Sequence, residues 1–157
     1  VNYPRTLIAL LAIAALGLFA SAVSASSTKG PARRYIEPRS GGAEPLPFSG
    51  AVQVDDTLYL SGDIGLEPGN KVPAEAATEA RLLMERCEKR LAAAGMTMDD
   101  LVYVTIYSSD VSDYPVFNAE YRKHFHREFP ARAYIGAGKL LFGARWELQG
   151  VAVRRQP

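Results

Sequence analysis

The sequence predicts an α+β fold: one mixed β-sheet with two helices packed on one face, in the order β-β-α-β-α-β-β. Three observations predict it. Segments rich in β-branched and aromatic residues, such as Leu101 to Tyr107, alternate in polarity as half-buried strands do. Ala76, Ala80, Leu83, Cys87, Leu91 and Ala94 recur at intervals of three and four, the period of a helix with one apolar face. Helical segments interrupt the strands only twice, so strands and helices do not alternate throughout.

Residues 1–25 read as a signal peptide. Arg5 gives a basic start, Leu7 to Ala20 is an unbroken apolar run, and Ser21-Ala22-Val23-Ser24-Ala25 offers small residues for cleavage. The run is shorter than the roughly 20 residues a membrane span needs. Export to the periplasm or the medium is therefore expected, with no stable membrane association after cleavage; a retained anchor is the alternative. Residues 26–47, rich in Ser, Gly, Pro and Arg, read as a flexible arm in which Tyr35-Ile36-Glu37 pairs at a sheet edge. Residues 48–157 form the domain.

Ala51 to Val54 and Thr57 to Ser61 are the arms of a hairpin turning at Asp55-Asp56. Gly62 to Val72, with Gly62, Gly65, Pro68, Gly69 and Asn70, is a loop. Pro73 belongs in the first turn of the first helix, Glu85 and Lys89 form an i,i+4 pair on it, and Gly95 stops it. Asp113 caps a second helix from about Pro115 to Phe125, whose inward stripe is Phe117, Tyr121 and Phe125. Arg132 to Ala137 and Arg145 to Val153 are the last strands, joined by a loop containing Gly138 and Gly143.

Lysine and arginine number 18 against 17 acidic residues, and loss of Arg5 with the leader makes the counts equal. Such a chain carries no electrostatic footprint for nucleic acid. Cys87 is the only cysteine, which excludes an internal disulfide. It falls on the inward helix face with no basic residue beside it, as a small hydrophobe does. His124 and His126 are two apart, and on a helix such side chains point about 200° apart. No His-x-x-x-His, cysteine pair, phosphate loop or Gly-x-Ser-x-Gly elbow is present, so neither a metal nor a cofactor is expected.

Chemistry concentrates in Phe129-Pro130-Ala131-Arg132-Ala133-Tyr134-Ile135 and Trp146-Glu147-Leu148-Gln149-Gly150-Val151-Ala152-Val153. Arg132 can grip a carboxylate through two parallel hydrogen bonds, and Glu147 can orient or deprotonate a water. The bland alternative is a cross-strand ion pair between neighbouring strands. Against it, Pro130-Ala131 fixes an extended start to the strand and Glu147 alternates with buried neighbours. Asn118 could bond a ligand or be solvated on its helix. Ser61 and Gly62 could receive an anionic group or simply make a turn. The pocket reading requires Arg132 and Glu147 to face one shared, partly dry cavity at a protomer boundary; opposite sides of the sheet would remove its basis.

Leu60-Ser61-Gly62, Phe117-Asn118-Ala119-Glu120-Tyr121, Phe129-Pro130-Ala131-Arg132 and the strand Glu147 to Arg154 together resemble the RidA (YjgF-like) enamine/imine deaminases. The likeness runs from about Phe48 to Arg154. It implies a chorismate-mutase-like fold, a homotrimer with clefts between subunits, and cofactor-free hydrolysis of 2-enamine and 2-imine acids to 2-keto acids and ammonia. It assigns the substrate carboxylate to Arg132, the attacking water to Glu147, and further contacts to Ser61, Gly62 and Asn118. Two positions depart from it: Phe48 stands where an aromatic hydroxyl is usual, and Tyr134 where cysteine is common. The Gly136 to Gly143 segment also lacks the usual Leu-Pro pair. Ribonuclease and translation-inhibitor roles have been assigned within the family, and the balanced charge lends them no support. The rival reading is a module that binds a small carboxylate in the same cleft without turnover, a reading that the apolar Phe48 and bulky Tyr134 favour.

Overall fold

The computed structural model describes residues 30–38 and 46–155. The signal-peptide reading of 1–25 lies outside the described residues, as do 26–29 and 39–45 of the arm.

The hairpin forms as the sequence requires. β2 (Ser49–Val54) pairs antiparallel with β3 (Thr57–Ile64) through Asp55-Asp56. Asp55 sits at φ 50, a left-handed position that a short polar side chain tolerates. β1 (Arg33–Pro38) pairs with β2 at the sheet edge and adds a sixth strand where Tyr35-Ile36-Glu37 is expected to pair. β4 (Leu101–Ser108), β5 (Ala131–Gly136) and β6 (Trp146–Val153) complete the sheet, in spatial order β1-β2-β3-β6-β4-β5. Every pairing is antiparallel except β4 with β5.

Helix α1 spans Ala76–Ala93 and ends at Gly95, whose φ is 69. Arg34 and Arg154 donate to the carbonyls of Ala93, Ala94 and Gly95, placing two cations at the negative end of the helix. Pro73 lies before the helix rather than in its first turn, because the Arg145 guanidinium holds the Pro73 and Ala74 carbonyls outside it. Glu85 pairs with Arg81 at 2.6 Å, not with Lys89.

Helix α2 is shorter than its stripe suggests. It covers Tyr114–Tyr121, tightens into a 3-10 turn over Arg122–His124, and leaves Phe125 extended. His124 Nδ1 lies 2.6 Å from the Glu88 carboxylate on α1, and the Phe125 ring packs back on Tyr121 at 4.7 Å. These contacts end the helix while keeping Phe117, Tyr121 and Phe125 in the core. Asp113 occupies the N-cap without a side-chain bond; Asp110 instead accepts from the Ser112 N–H and caps the preceding turn.

The helices cover one face of the sheet. Leu58, Val104, Ile106, Trp146 and Leu148 meet Leu83, Leu91 and Phe117 there. The other face exposes Tyr35, Tyr59, Tyr103, Ile135 and Val153. A bulge shapes β3: Leu60 pairs with Gly150 and Asp63 with Leu148, so Ser61 and Gly62 together oppose Gln149. The extra residue turns Asp63 inward, where its carboxylate meets Arg90 at 2.6 Å with both side chains about 95% buried, at 4% and 5% exposure. Arg90 is thus a basic residue one turn from Cys87, contrary to the expected absence of one. Burial still pushes the thiol up to about 12, the nearby Arg90 charge opposing it only in part.

Candidate functional site

Sheet register separates the two residues on which the pocket reading rests. Arg132 pairs with Val104 and Glu147 with Tyr107. Paired residues share a face, and side chains alternate along β4, so two residues three apart lie on opposite faces. Arg132 is on the helix-covered face and Glu147 on the open one. Strand β4 also lies between β5 and β6, so the two are not on neighbouring strands. Neither the plain cross-strand ion pair nor a shared cavity forms within one chain. The strand order overturns the ion pair, and the opposite faces remove the basis of any pocket in which one copy supplies both groups.

The candidate residues instead fall into two clefts. The first, about 180 Å³, is lined by Asn118, Tyr121, Arg122, Phe129, Pro130 and Arg132. Helix α2 supplies its wall because Asn118 and Tyr121 are three apart and share a face. The Arg132 guanidinium lies 4.6 Å from the centre of the Tyr121 ring and 5.6 Å from that of Tyr114, within cation–π range of both. Among the described residues its one polar partner is held weakly: an N–H points at the Tyr114 hydroxyl from 3.4 Å. A hydrogen bond from the Asn118 amide and the Arg132 charge hold the Tyr114 phenol below its usual range. Burial pushes the Tyr121 phenol the other way, and its hydroxyl has no hydrogen-bond partner among the described residues.

Tyr134 lies behind this cleft, not in the lining. Its hydroxyl accepts from the Trp146 indole N–H at 2.8 Å and donates to Ser108 Oγ at 3.0 Å. Its ring meets Tyr114 edge-on at 4.9 Å. Tyr134 therefore braces the aromatic wall beside Arg132.

The second cleft, about 230 Å³, gathers Phe48, Ser61, Gly62, Ile64 and Glu147 with Leu141 and Phe142. The β3 bulge brings Gly62 so close that a Cβ there would overlap the Glu147 carboxylate. Ser61 donates its hydroxyl to the Ser49 carbonyl at 2.6 Å, which ties β3 to β2 and occupies the donor. Arg145 anchors the start of β6: its guanidinium meets the fully buried Glu79 carboxylate at 2.6 Å, and its own N–H bonds the other carboxylate oxygen. Glu147 follows two residues later.

Arg132 and Glu147 share one property across the sheet. Each is half-buried, and among the described residues neither has an ion-pair partner. A partly buried charge without a counter-charge is open to a ligand group of opposite sign or to a hydrogen-bonding water. Sequence reasoning missed Tyr114 and the rim residues Leu141 and Phe142. The apolar Leu140-Leu141-Phe142 run inside a glycine-bounded loop was the available signal for the rim. For Tyr114 the signal was weaker, a tyrosine four residues before Asn118.

A family model described as Endoribonuclease L-PSP matches residues 42–154. The 2-iminobutanoate/2-iminopropanoate deaminase of Bos taurus is 35% identical over 124 residues, covering 78% of this chain and 90% of its own. The crystal structure of RidA from the Antarctic bacterium Psychrobacter sp. PAMC 21119 aligns with TM-score 0.69 at 25% identity, over 77% of this chain and 99% of that one. That of E. coli TdcF with bound serine aligns with TM-score 0.69 at 26% identity, over 78% and 99%.

Proposed function

Since this chain belongs to the endoribonuclease L-PSP family, the family of the RidA (YjgF-like) proteins, we propose that it hydrolyses 2-imino and 2-enamine acids to 2-keto acids and ammonia. The site we propose is completed by two copies, Arg132 of one and Glu147 of another, in a homotrimer. The observation that carries this reading is the pair of half-buried charges, without ion-pair partners among the described residues, on opposite faces of one sheet. A carboxylate bound by Arg132 supplies the first with a partner. A water held by Glu147 supplies the second with a proton donor.

Arg132 grips the substrate carboxylate, and the tyrosine rings fix the guanidinium's plane, which positions the imine carbon. Glu147 takes a proton as the water oxygen bonds to that carbon, giving a carbinolamine. The nitrogen takes the proton held by Glu147 and then the proton that the carbinolamine hydroxyl gives up through the same carboxylate; the C–N bond breaks with its electrons leaving on nitrogen, and ammonia departs as the carbonyl forms. No electrons are exchanged with a cofactor. The exposed tyrosines and aliphatic residues of the open sheet face supply apolar surface for association of copies. The serine held by the related TdcF, itself a small carboxylate, supports the substrate class. Export of the chain is part of the proposal and rests on Arg5, the apolar run from Leu7 to Ala20 and the small residues after it.

Complementation tests the two-copy site. Arg132→Ala and Glu147→Gln should each lower keto-acid release about 10²–10³-fold, the usual cost of removing a group that meets developing charge. Chains of the two variants co-expressed and assembled at random should regain about a quarter of wild-type activity, because in a cyclic head-to-tail assembly that fraction of boundaries carries both intact groups. No recovery from folded mixed oligomers removes the two-copy site. Full activity of Arg132→Ala removes that arginine from the site, and no keto-acid release by the unaltered protein ends the deaminase reading. The apolar rim around Glu147 favours one second reading, a binder of small carboxylates; ligand-dependent melting without faster keto-acid release identifies it.

A further inference from the structure

The loop before β6 is anchored at both ends and presents its tip. Leu140 and Ala144 pack into a small apolar cluster with Ile64, Leu66 and Val72. Leu141 and Phe142, between them, join neither apolar cluster and are 71% and 58% exposed. Phe142 also holds a left-handed backbone, φ 59 and ψ 7, which bulky residues rarely adopt. Non-glycine residues in that conformation persist where surrounding structure enforces them, and they cluster at ligand clamps. Here the enforced conformation places two large apolar side chains, with Phe48 and Ile64, in the same cavity as the Glu147 carboxylate.

Packing of the core does not explain that placement, since the two tip residues contribute nothing to it. Chemistry at Glu147 does. A substrate whose reacting carbon faces this carboxylate must direct its side chain into the space that remains, and that space is walled by two phenyl rings and two aliphatic groups. A methyl would reach few of these walls, whereas an isobutyl or benzyl group would meet them.

We propose that the cavity beside Glu147 is the side-chain subsite, and that this chain selects 2-imino acids with a large apolar side chain over the methyl-bearing imine derived from alanine. The inference rests on the deaminase reading and narrows its substrate. Phe142 is the specificity-determining residue and Leu141 and Phe48 are its neighbours.

The test is a coupled assay on the intact protein in which an amino-acid oxidase generates imines from alanine, leucine and phenylalanine. The leucine- or phenylalanine-derived imine should be hydrolysed with kcat/KM about tenfold or more above the alanine-derived one, since a single methylene in an apolar pocket is worth about 10–200-fold. Phe142→Gly should bring that ratio down towards one without lowering Tm, because glycine adopts this backbone freely. Three results overturn the inference alone: equal or better turnover of the alanine-derived imine, a ratio unmoved in Phe142→Gly, or dissociation of the oligomer in that variant, which would make the ring a contact between copies. Absence of acceleration with all three imines overturns the deaminase reading, and the inference with it.

Discussion

The Arg132 cleft and the Glu147 cleft are constructed in opposite ways. Side chains build the first: an arginine laid against Tyr121 and Tyr114, with Tyr134 bracing Tyr114 from behind. Backbone builds the second: a bulge that brings Gly62 against a carboxylate, and a loop tip held in a left-handed turn. Ring packing tolerates small adjustments, because aromatic contacts weaken gradually with distance. At Gly62 any added side chain must displace the Glu147 carboxylate itself. The difference teaches that the cation's half should absorb substitution and the carboxylate's half should not. A second consequence concerns charge. Had Arg132 and Glu147 shared a face on adjacent strands, they would have neutralised one another; a sheet between them keeps both available.

The largest expected effect breaks the comparison at the anchor of the Glu147 half. Glu79→Ala removes the buried partner of Arg145 and leaves that cation uncompensated, costing about 3–5 kcal/mol, towards the lower end because Arg145 is partly exposed and keeps its two carbonyl partners. Urea unfolding measures it, and a loss under about 1 kcal/mol would show that the anchor is not what holds β6. Next comes Gly62→Ala. The added methyl displaces the Glu147 carboxylate, a flexible group, so stability should change little while kcat/KM falls about 10²-fold, the usual effect of a misplaced catalytic group. Unchanged kinetics would remove Gly62 from the site. The smallest effect sharpens the picture of the Arg132 half. Tyr121→Phe deletes a buried hydroxyl with no hydrogen-bond partner among the described residues and keeps the ring under the guanidinium. Stability should stay level or rise by about 1 kcal/mol in thermal or denaturant melts, with activity retained. A clear loss of stability would mean that the hydroxyl has a partner after all.

Much of this was legible in the sequence because it is local. The three- and four-residue spacing from Ala76 to Ala94, the Asp55-Asp56 hairpin and the Phe117-Tyr121-Phe125 stripe each depend on residues within a few positions of one another. Strand order is not local. Alternation identifies Arg145 to Val153 as a strand but does not say that it enters the sheet between β3 and β4, and that placement decides which side of the molecule Glu147 faces. The candidate residues could therefore be named while their grouping could not. Helix ends failed for a related reason: Arg145, far along the chain, holds Pro73 out of α1, and Glu88 on α1 takes hold of His124 where α2 has tightened and stops. Phe142 was illegible because an apolar residue in a loop carries no local mark of the direction its backbone will take.

The surplus residue at Ser61-Gly62 serves the carboxylate more than the sheet. Two residues there face one on the neighbouring strand, and alternation resumes beyond them with Asp63 turned inward. Deleting Ser61 would leave a regular strand in which Asp63 still opposes Leu148 and meets Arg90, and Ile64 still opposes Glu147; what would go is the added backbone that brings Gly62 against the Glu147 side chain. Such a one-residue deletion should therefore yield soluble, folded protein whose loss is read in turnover, and insoluble protein would show that the sheet itself needs the extra residue.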